Sequence, residues 1–227
     1  MTGTKAISNI SIDCIIFSFH NDELHTLLLK WAAGKSRGEW ALPGGYVNYD
    51  ENIDAAASRV LKIHTGLDHV YLEQLKAFGD VNRYPKKRVI TITYFSLVKY
   101  SDIKVEASES VYEVQWFPVK NHPELIFDHQ EILQFGLNRL KQIVRHEPIG
   151  FKLLPLEFTL LQLQSLYEAI LETKFDKPNF RRKLLKMKLL NDTGKKQENV
   201  SHRAANLYKF DLNIYEKLKD KGFTFDL

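Results

Sequence analysis

The segment from Gly45 to Gly66 constrains the fold of this chain more than any other feature. Between these glycines, apolar residues recur at positions 53, 56, 57, 60 and 61, which is the spacing of an amphipathic helix. A Pro43–Gly44–Gly45 turn leads into the segment, and Gly66 follows it as a helix stop signal. Because strand-like runs lie on both sides, the pattern favours an α+β fold, with a mixed sheet flanked by helices.

Runs of β-branched and aromatic residues predict the strands of this sheet. The runs 10–19 and 24–31 are separated by a polar segment, 20–22, that suits a hairpin turn. Further strands are predicted from residue 88 and from residue 113. The front of the chain therefore contains more strands than helices.

The sequence changes character near residue 147. The segment HEPIG, 146–150, follows a predicted helix in which Asp128 and Glu131 can form a capping pair. After it, two helical segments are followed by a turn and a short strand-like run. We therefore expect one domain over 1–147 and a second domain over 148–227.

Composition excludes several classes of protein. A single cysteine, Cys14, rules out an internal disulfide and a cysteine-rich zinc module, and its place in an apolar strand predicts a packing role. No run approaches the ~18 apolar residues of a membrane-spanning helix, and the first residues lack the apolar centre of a signal peptide. We expect a cytoplasmic protein with no membrane partner.

Charge is distributed unevenly along the chain. The net charge of +4 combines a nearly neutral front part with a basic back part, and most of the excess lies between Lys174 and Lys196. This segment holds nine Lys or Arg against two acidic residues. Such asymmetry predicts that the back part contacts a polyanion.

The helical segment also resembles a known motif. The positions that fit the Nudix box in register are Gly45, Glu51, Arg59, Leu61, Gly66 and Leu67. The preceding WALPGG is similar to the strand that leads into this box. So long a spacing is hard to obtain by chance in a plain core helix. The resemblance covers about residues 8–147 and implies a Nudix-like domain.

The positions that hold Mg²⁺ in an active Nudix enzyme have changed in this chain. The glutamate after the arginine is replaced by Val60, and the paired glutamates are replaced by Ile63 and His64. Mg²⁺ prefers hard oxygen ligands, which valine and isoleucine lack and which one imidazole replaces poorly. Glu51 remains, but it lies about half a turn from that helix face. The departures predict a Nudix fold with no hydrolysis, no catalytic residues, no bound metal and no cofactor.

The back part is typical of a winged helix-turn-helix domain. Thr159 with Gln162 can cap its first helix, and Asp176 can cap a second helix with Pro178 in its first turn. This second helix is predicted over NFRRKLLKMKLL, from Asn179, with its leucines 184, 185, 189 and 190 facing the domain core. The NDTGKK turn and a returning strand near 207–210 would form the wing.

The basic residues of this part are candidates for contact with double-stranded DNA. On the second helix they are Arg181, Arg182, Lys183, Lys186 and Lys188, joined by the neutral Asn179 near its start; at the expected wing tip they are Lys195 and Lys196. Arginine can pair with guanine and asparagine with adenine, whereas wing lysines would meet phosphates. A solvated basic helix is the alternative. RNA is less favoured, because the segment lacks the aromatic stacking surface of common RNA-binding modules.

Together the two parts resemble the Nudix-related transcriptional regulators, in which a ligand-sensing Nudix-like domain precedes a winged-helix domain. The stretches LEFTLLQLQSLYEAIL, DKPNFRRKLLKMKLLNDTGKK and FDHQEIL are similar to those of the family. The resemblance implies a homodimer that binds an operator. Some members respond to ADP-ribose and control NAD metabolism, and others respond to pentoses and control sugar use. The chain is most similar to the arabinose-responsive type, which implies L-arabinose as effector.

Two classes of function remain open from the sequence. The first is a ligand-responsive repressor of sugar utilisation or, as the alternative, an ADP-ribose-responsive regulator of NAD metabolism. The second is a divergent Nudix hydrolase with a basic tail that binds nucleotides or RNA. The loss of three acidic positions favours a neutral sugar over a nucleotide as ligand.

The candidate effector site lies in the front domain. Asp13 and Lys30 are charged residues that interrupt otherwise apolar strands; for each residue taken alone, an exposed strand face is the slightly favoured alternative. The other candidates surround the glycine turn or face the same cleft: Trp40, Gly44, Gly45, Tyr46 and His64. His64 either contacts the ligand or is a buried, hydrogen-bonded histidine, and the sequence leaves both open.

Overall fold

The structure is a computed structural model that describes residues 6–32, 36–68, 70–85, 87–100, 111–198, 200–201 and 203–226. The chain divides into two compact units. One contains the residues up to Ser18 together with His25–Leu137, and the other contains Phe19–Leu24 and Asn138–Leu227. The division after Leu137 falls inside a helix. The sequence predicted the domain boundary about ten residues later, after residue 147.

The first unit is built on a mixed sheet of seven strands among the described residues. The strands are β1 (Ala6–His20), β2 (Glu23–Trp31), β3 (Trp40–Ala41), β4 (Gly44–Asn48), β5 (Glu73–Phe78), β6 (Ile90–Leu97) and β7 (Val111–Pro118). Their order is β3-β2-β1-β6-β5, with β4 paired to β1 and β7 paired to β2. β1 and β6 run parallel, and the other pairs are antiparallel. The mixed sheet is therefore confirmed.

The predicted hairpin turn and the helix between the glycines both form. Asn21 and Asp22 have φ of 50° and 60°, which is the backbone conformation of a tight hairpin turn. Helix α1 (Ile53–Thr65) begins where the Asn52 side chain accepts a hydrogen bond from the Ala55 N–H. It ends at Gly66, whose φ of 73° is left-handed, so glycine is favoured there.

One face of α1 completes the core of the first unit. Ala56, Ala57 and Leu61 are buried against the central strands, where Cys14 and Tyr94 are also buried. Cys14 is fully buried, so its predicted packing role is confirmed. Helix α2 (His129–His146) follows β7 after a connecting segment.

The second unit forms a winged helix. After a short 3₁₀ helix (Pro148–Leu153) come α3 (Leu160–Leu171), α4 (Lys177–Lys186), strands β8 (Leu190–Lys196) and β9 (Asn206–Phe210), and α5 (Leu212–Lys219). Thr159 and Gln162 form the predicted capping box of α3, and the Asp176 carboxylate caps α4. β8 and β9 are antiparallel, and Phe158 bridges to Tyr208. Among the described residues, no helix is long and apolar enough to cross a membrane.

Candidate functional site

The two charged residues that match the Nudix box fix the loop that leads into α1. Glu51 accepts hydrogen bonds from the Asn48 N–H at 2.8 Å and from Arg59 Nε at 2.7 Å. Arg59 also donates to the Tyr46 carbonyl at 2.8 Å. The bond from Arg59 lowers the pKa of Glu51, which is therefore held as a carboxylate. These contacts tie the end of β4 to the start and the middle of α1.

The three positions that replace the metal-binding glutamates have different surroundings. Val60 is buried, and its Cγ2 lies so close to Gly45 that a Cβ there would stand 3.1 Å away. Ile63 is about half exposed, at 48%. His64 lies edge-on to Trp31, with ring centroids 5.2 Å apart. Within the described part of the chain, no group of three His, Cys, Asp or Glu side chains could hold a metal ion.

A cavity of about 430 Å³ opens in the first unit beside β4. Five of the seven predicted ligand residues line it: Asp13, Gly44, Gly45, Tyr46 and His64. Part of its wall is aromatic and consists of Trp31, Tyr46, Tyr84 and Phe127. Tyr84 and Phe127 contact each other with ring centroids 4.7 Å apart.

Lys30 and Trp40, the other two predicted ligand residues, do not line this cavity. They are paired across β2 and β3, where the Lys30 ammonium lies 5.4 Å from the Trp40 ring centroid. Trp40 also packs edge-to-face on Phe117, at 4.8 Å. The charge of Lys30 is thus explained by a cation–π contact at the edge of the sheet. Trp40 borders a separate depression with residues 123–127.

Four polar side chains form a cluster at one side of the main cavity. Arg83 binds Asp128 through two hydrogen bonds, from Nε at 2.7 Å and from Nη2 at 2.8 Å. The same Nη2 lies 3.4 Å from Asp13 Oδ2. His129 Nε2 lies 3.7 Å from the other Asp13 oxygen, Oδ1. Asp13, Arg83 and His129 are each less than 10% exposed, and all three border the cavity.

The protonation of His129 is fixed by a backbone contact. Its Nδ1 accepts a hydrogen bond from the Leu42 N–H at 3.0 Å, so the proton of the neutral ring is on Nε2. Burial lowers the pKa of His129 and favours this neutral form. Burial also raises the pKa of Asp13, against the opposing effect of nearby His129 and Arg83. The ring therefore presents an N–H donor toward a carboxyl group.

Gly44 is required where β4 passes Asp13. A Cβ on Gly44 would stand 2.2 Å from Asp13 Oδ1 and 3.0 Å from the Ile12 carbonyl oxygen. His64 hydrogen-bonds the Gly44 backbone, and burial lowers the pKa of its imidazole. His64 is thus a part-buried, hydrogen-bonded histidine that also borders the cavity, and its contact with a ligand stays a prediction.

Three residues of the cluster were not among the predicted ligand residues. Arg83 lies in the loop before β6, and Asp128 and His129 open α2. Asp128 was predicted to cap this helix, and the structure shows its carboxylate bound by Arg83. The only sequence signal was the FDHQEIL stretch, which identified a family and not a cavity residue. Arg83 is 45 positions from Asp128 and 70 positions from Asp13 in the sequence. Contacts over such distances leave no local sequence pattern.

The basic surface of α4 is exposed on the second unit. Phe180 and Leu184, one turn apart, are buried and define the inward face of the helix. At ~100° per residue, Asn179, Arg182 and Lys186 lie on the opposite face. Arg182 donates to the Asn179 side-chain oxygen at 2.6 Å. The six predicted contact residues from Asn179 to Lys188 are all exposed.

Several details of the predicted recognition helix need correction. α4 ends at Lys186, and Lys188 lies beyond it with a left-handed φ of 55°. Leu185 does not face the core as predicted, because it is 45% exposed. Lys183 lies on the flank of the helix, where its ammonium is 3.6 Å from Asp226.

The wing lysines also differ from the prediction. Lys195 and Lys196 are exposed but belong to β8, short of the hairpin tip, because the Gln197 N–H still pairs with the Ala205 carbonyl. The Lys195 ammonium binds Glu157 at 3.0 Å. Lys209 binds the same carboxylate at 3.2 Å. Gly194, with φ 71°, lies within β8 just before these lysines, where the pairing with β9 is irregular between Asp192 and Lys196.

Comparisons with known proteins match both units. Residues 8–135 match the NUDIX domain, and residues 150–210 match the NrtR DNA-binding winged helix domain. The chain is 32% identical over 211 residues to the ADPR responsive transcriptional repressor NtrR of Acinetobacter baylyi, covering 91% of this chain and 84% of that protein.

Two solved structures from Shewanella oneidensis are also similar. NrtR complexed with a 27mer DNA has a TM-score of 0.79 and 28% identity, covering 96% of this chain and 99% of that one. The NUDIX domain of NrtR complexed with ADP ribose has a TM-score of 0.54 and 28% identity, covering 59% and 89%.

A Nudix domain joined to a winged helix defines a Nudix-related transcriptional regulator. The chain belongs to the NrtR family of these regulators. The comparisons favour this branch of the resemblance and lend no support to the arabinose-responsive type.

Proposed function

We propose that this protein is a transcriptional repressor whose winged helix binds an operator and whose Nudix domain binds the effector in the cavity beside β4. The proposal is supported mainly by two features that occur together in this chain. One is a Nudix domain with Val60, Ile63 and His64 at the metal-binding positions, and the other is a winged helix with an exposed basic face on α4.

ADP-ribose is the effector that we propose. Its support is the 32% identity, over most of both chains, to a repressor of Acinetobacter baylyi described as ADPR responsive. The NUDIX domain of the related Shewanella oneidensis NrtR was crystallised with ADP ribose. The cavity of about 430 Å³ is within the usual size of a small-molecule site, ~300–1,000 Å³. We expect control of NAD metabolism to follow from this effector.

A free pentose such as L-arabinose is the second candidate effector. It is favoured by the chemistry of the polar cluster, where the carboxyl groups of Asp13 and Asp128 lie beside one arginine and one neutral histidine. Carboxylates repel a diphosphate but accept hydrogen bonds from hydroxyl groups. The two effectors predict different regulated genes, sugar utilisation for the pentose and NAD metabolism for ADP-ribose.

We further propose that the protein does not hydrolyse its effector. The side chains at positions 60, 63 and 64 offer no carboxylate to Mg²⁺, and Glu51 is bound by Arg59 and Asn48. Turnover of ADP-ribose near 1 s⁻¹ in Mg²⁺ or Mn²⁺ would overturn this part and establish a hydrolase.

A homodimer is the proposed DNA-binding form, and the cytoplasm, where the operator lies, is the proposed location. Winged-helix dimers place two recognition helices about one turn of DNA apart, so two copies would read a two-fold symmetric site. Light scattering of the complex with a short operator duplex measures the stoichiometry. One protein chain per duplex would contradict the dimer.

The test of the whole proposal is a mobility-shift titration on DNA upstream of the gene and of its neighbours. ADP-ribose, L-arabinose and buffer are compared, each in EDTA and in Mg²⁺. We expect a sequence-specific complex whose affinity changes by about 5–150-fold with ADP-ribose, in EDTA as well as in Mg²⁺. A response to L-arabinose alone would establish the second candidate. Failure to bind any of these sequences more tightly than scrambled DNA would contradict the repressor.

A further inference from the structure

Two side chains on the exposed face of α4 are hydrogen-bonded to each other. Arg182 Nη2 donates to Asn179 Oδ1 at 2.6 Å, and both side chains are exposed. Because a guanidinium only donates hydrogen bonds, the amide atom that faces it must be the oxygen, so the orientation of the Asn179 amide is fixed. The two residues are the third and sixth of the helix, and the N-terminal part of a recognition helix is the part that meets base edges.

The backbone that carries Asn179 is itself held in place. The Asn179 N–H donates to the Asp176 carboxylate, which caps the helix, at 3.1 Å, and Pro178 restricts the backbone just before it. The next residue, Phe180, is only 4% exposed and packs on Phe175 with ring centroids 5.1 Å apart. The side chain of Asn179 therefore extends from a rigid part of the helix.

Arg182 differs from its basic neighbours in the charge of its partner. The ammonium groups of Lys174, Lys183 and Lys195 lie 2.8, 3.6 and 3.0 Å from a carboxylate oxygen. Within the part of the chain that the structure describes, Arg182 forms no ion pair, and its side chain is bonded to a neutral amide. The bond to Asn179 thus orients the guanidinium without neutralising it, and it leaves most of the guanidinium N–H donors available for another acceptor.

Guanine is the base whose edge fits this guanidinium. In the major groove guanine presents two acceptors, O6 and N7, which one arginine binds through two N–H groups. Adenine presents an acceptor and a donor, which an asparagine binds with both the NH₂ and the oxygen of its amide. The Asn179 oxygen already lies against Arg182, so an adenine would have to share it. An arginine that is oriented before it meets DNA also loses less conformational entropy on binding.

We infer that Asn179 is a positioning residue, which holds Arg182 in the orientation that reads a guanine of the operator, and that Asn179 reads no base itself. This inference rests on the proposed function, because it requires that α4 enters the major groove of a specific site. It differs from the sequence-based prediction, in which Asn179 pairs with adenine. The two assignments predict different base preferences, so DNA binding can separate them.

The test begins with the full-length protein and a pool of randomised DNA duplexes. Selection from the pool gives a preferred site, and anisotropy titrations of every single-base variant of that site give the preference at each position. We expect one guanine that the wild-type protein prefers by about tenfold or more and that Arg182→Ala no longer distinguishes from other bases. Replacing this guanine with 7-deazaguanine, which lacks the N7 acceptor, should weaken binding of the wild type and leave binding of Arg182→Ala unchanged.

Variants of Asn179 then distinguish positioning from reading. Asn179→Ala should reduce the preference for the same guanine by about threefold or more, because Arg182 must then be ordered on binding, and should leave the preference at every other position unchanged. Asn179→Asp keeps an oxygen that accepts from Arg182, so it should retain the guanine preference, although its negative charge weakens binding to all sequences alike. Asn213→Ala, the same change in the first turn of α5, is the matched control and should change neither quantity. Circular dichroism shows whether each variant is folded.

The outcomes separate the inference from the proposed function. If Asn179→Ala relaxes the preference at an adenine that Arg182→Ala still distinguishes, Asn179 reads a base directly, and the inference is wrong while the DNA-binding function stands. The same conclusion follows if a folded Asn179→Ala protein keeps the full guanine preference, or if no guanine of the site depends on Arg182. If selection enriches no site over the random pool, sequence-specific binding is absent, and the proposed function fails together with the inference.

Discussion

Glu157 and Lys195 are joined by an ion pair with N–O distances of 3.0 and 3.3 Å, between the segment before α3 and strand β8 of the wing. Lys209 on β9 binds the same carboxylate at 3.2 Å. Hydrogen bonds from the Lys195 and Lys209 side chains lower the pKa of Glu157, so it is charged at neutral pH. The carboxylate therefore neutralises charge that the wing would otherwise offer to DNA phosphates.

Replacing this carboxylate should strengthen DNA binding. In Glu157→Gln both lysines keep their charge and lose their partner, so they can contact phosphates. We expect tighter binding to all DNA sequences alike, and a salt dependence steeper by about one to two units of slope. Fluorescence anisotropy at several salt concentrations measures both quantities.

The control for this prediction is Glu172→Gln. Glu172 also pairs with one lysine, Lys141, but neither residue belongs to the wing. It should leave affinity and slope unchanged. Unchanged or weaker DNA binding by Glu157→Gln would show that the pair serves to position the wing.

The outward face of α4 should carry the sequence preference. Arg182→Ala should cost ~1–3 kcal/mol of specific binding, because a bidentate contact to guanine is lost, and Lys186→Ala should weaken all sequences alike. Replacing both Arg181 and Arg182 with alanine should abolish operator preference. Competition between operator and scrambled duplexes separates these effects.

Lys183→Ala is the comparison for this face. Lys183 lies on the flank near Asp226, so its loss should matter less than that of Arg182. The reverse order, with Lys183 dominant, would mean that α4 meets DNA through a different face. Asn179 is expected to act partly through Arg182, to which its oxygen is already bonded.

Local patterns predicted the elements of both units well. The capped helix between Asn52 and Gly66, the hairpin at Asn21–Asp22 and the Thr159 capping box all depend on residues close in sequence. Each of these signals comes from backbone groups that a nearby side chain or glycine must satisfy. This is why they could be read without knowing the rest of the fold.

Contacts distant in sequence account for the errors at the site. Lys30 was predicted as a ligand residue because the sequence shows a charge in an apolar strand. Its actual partner, Trp40, belongs to a different strand and is brought to it only by the fold. Arg83 gave no signal, because only the folded sheet brings it to Asp13 and Asp128. The end of α4 was placed too late, since nothing local marks the left-handed backbone at Lys188.

Gly44 should tolerate no side chain. In Gly44→Ala the new Cβ would stand 2.2 Å from Asp13 Oδ1, and the nearby backbone of Ile12 gives little room to move. We expect a loss of about 1–3 kcal/mol of unfolding free energy, together with weaker effector binding as Asp13 shifts. Chemical denaturation and calorimetry measure the two effects.

Gly79→Ala is the matched control in the same unit, because its Cβ would meet only ordinary contacts at 3.6 Å or more. It should bind the effector normally. A Gly44→Ala protein with unchanged stability and binding would show that Asp13 can move freely, and would weaken its role in the cavity.

Glu168 should make the winged helix more stable at neutral pH than in acid. On α3 it accepts hydrogen bonds from Gln164 at 2.8 Å, from the Phe175 N–H at 2.9 Å and from Lys174 at 2.8 Å, which ties the turn between α3 and α4. Burial alone would raise the pKa of Glu168, but these hydrogen bonds have the larger effect and lower it to about 2. The folded pKa is thus below the unfolded value of ~4.3.

The sign of the pH dependence follows from this order. Protons bind the unfolded state first as pH falls, so the stabilisation is complete above about pH 4.5 and is lost progressively toward pH 2. Glu168→Gln should therefore lower the unfolding free energy by ~1–2 kcal/mol at pH 7, where Lys174, 90% exposed, contributes little through screened charge. The deficit should shrink steadily below pH 4.5. Urea denaturation of both proteins at pH 7, 5, 4 and 3 measures it, with Glu172→Gln as an exposed control. A deficit that is constant over this range would mean that the side chain's shape, and not its charge, holds the turn.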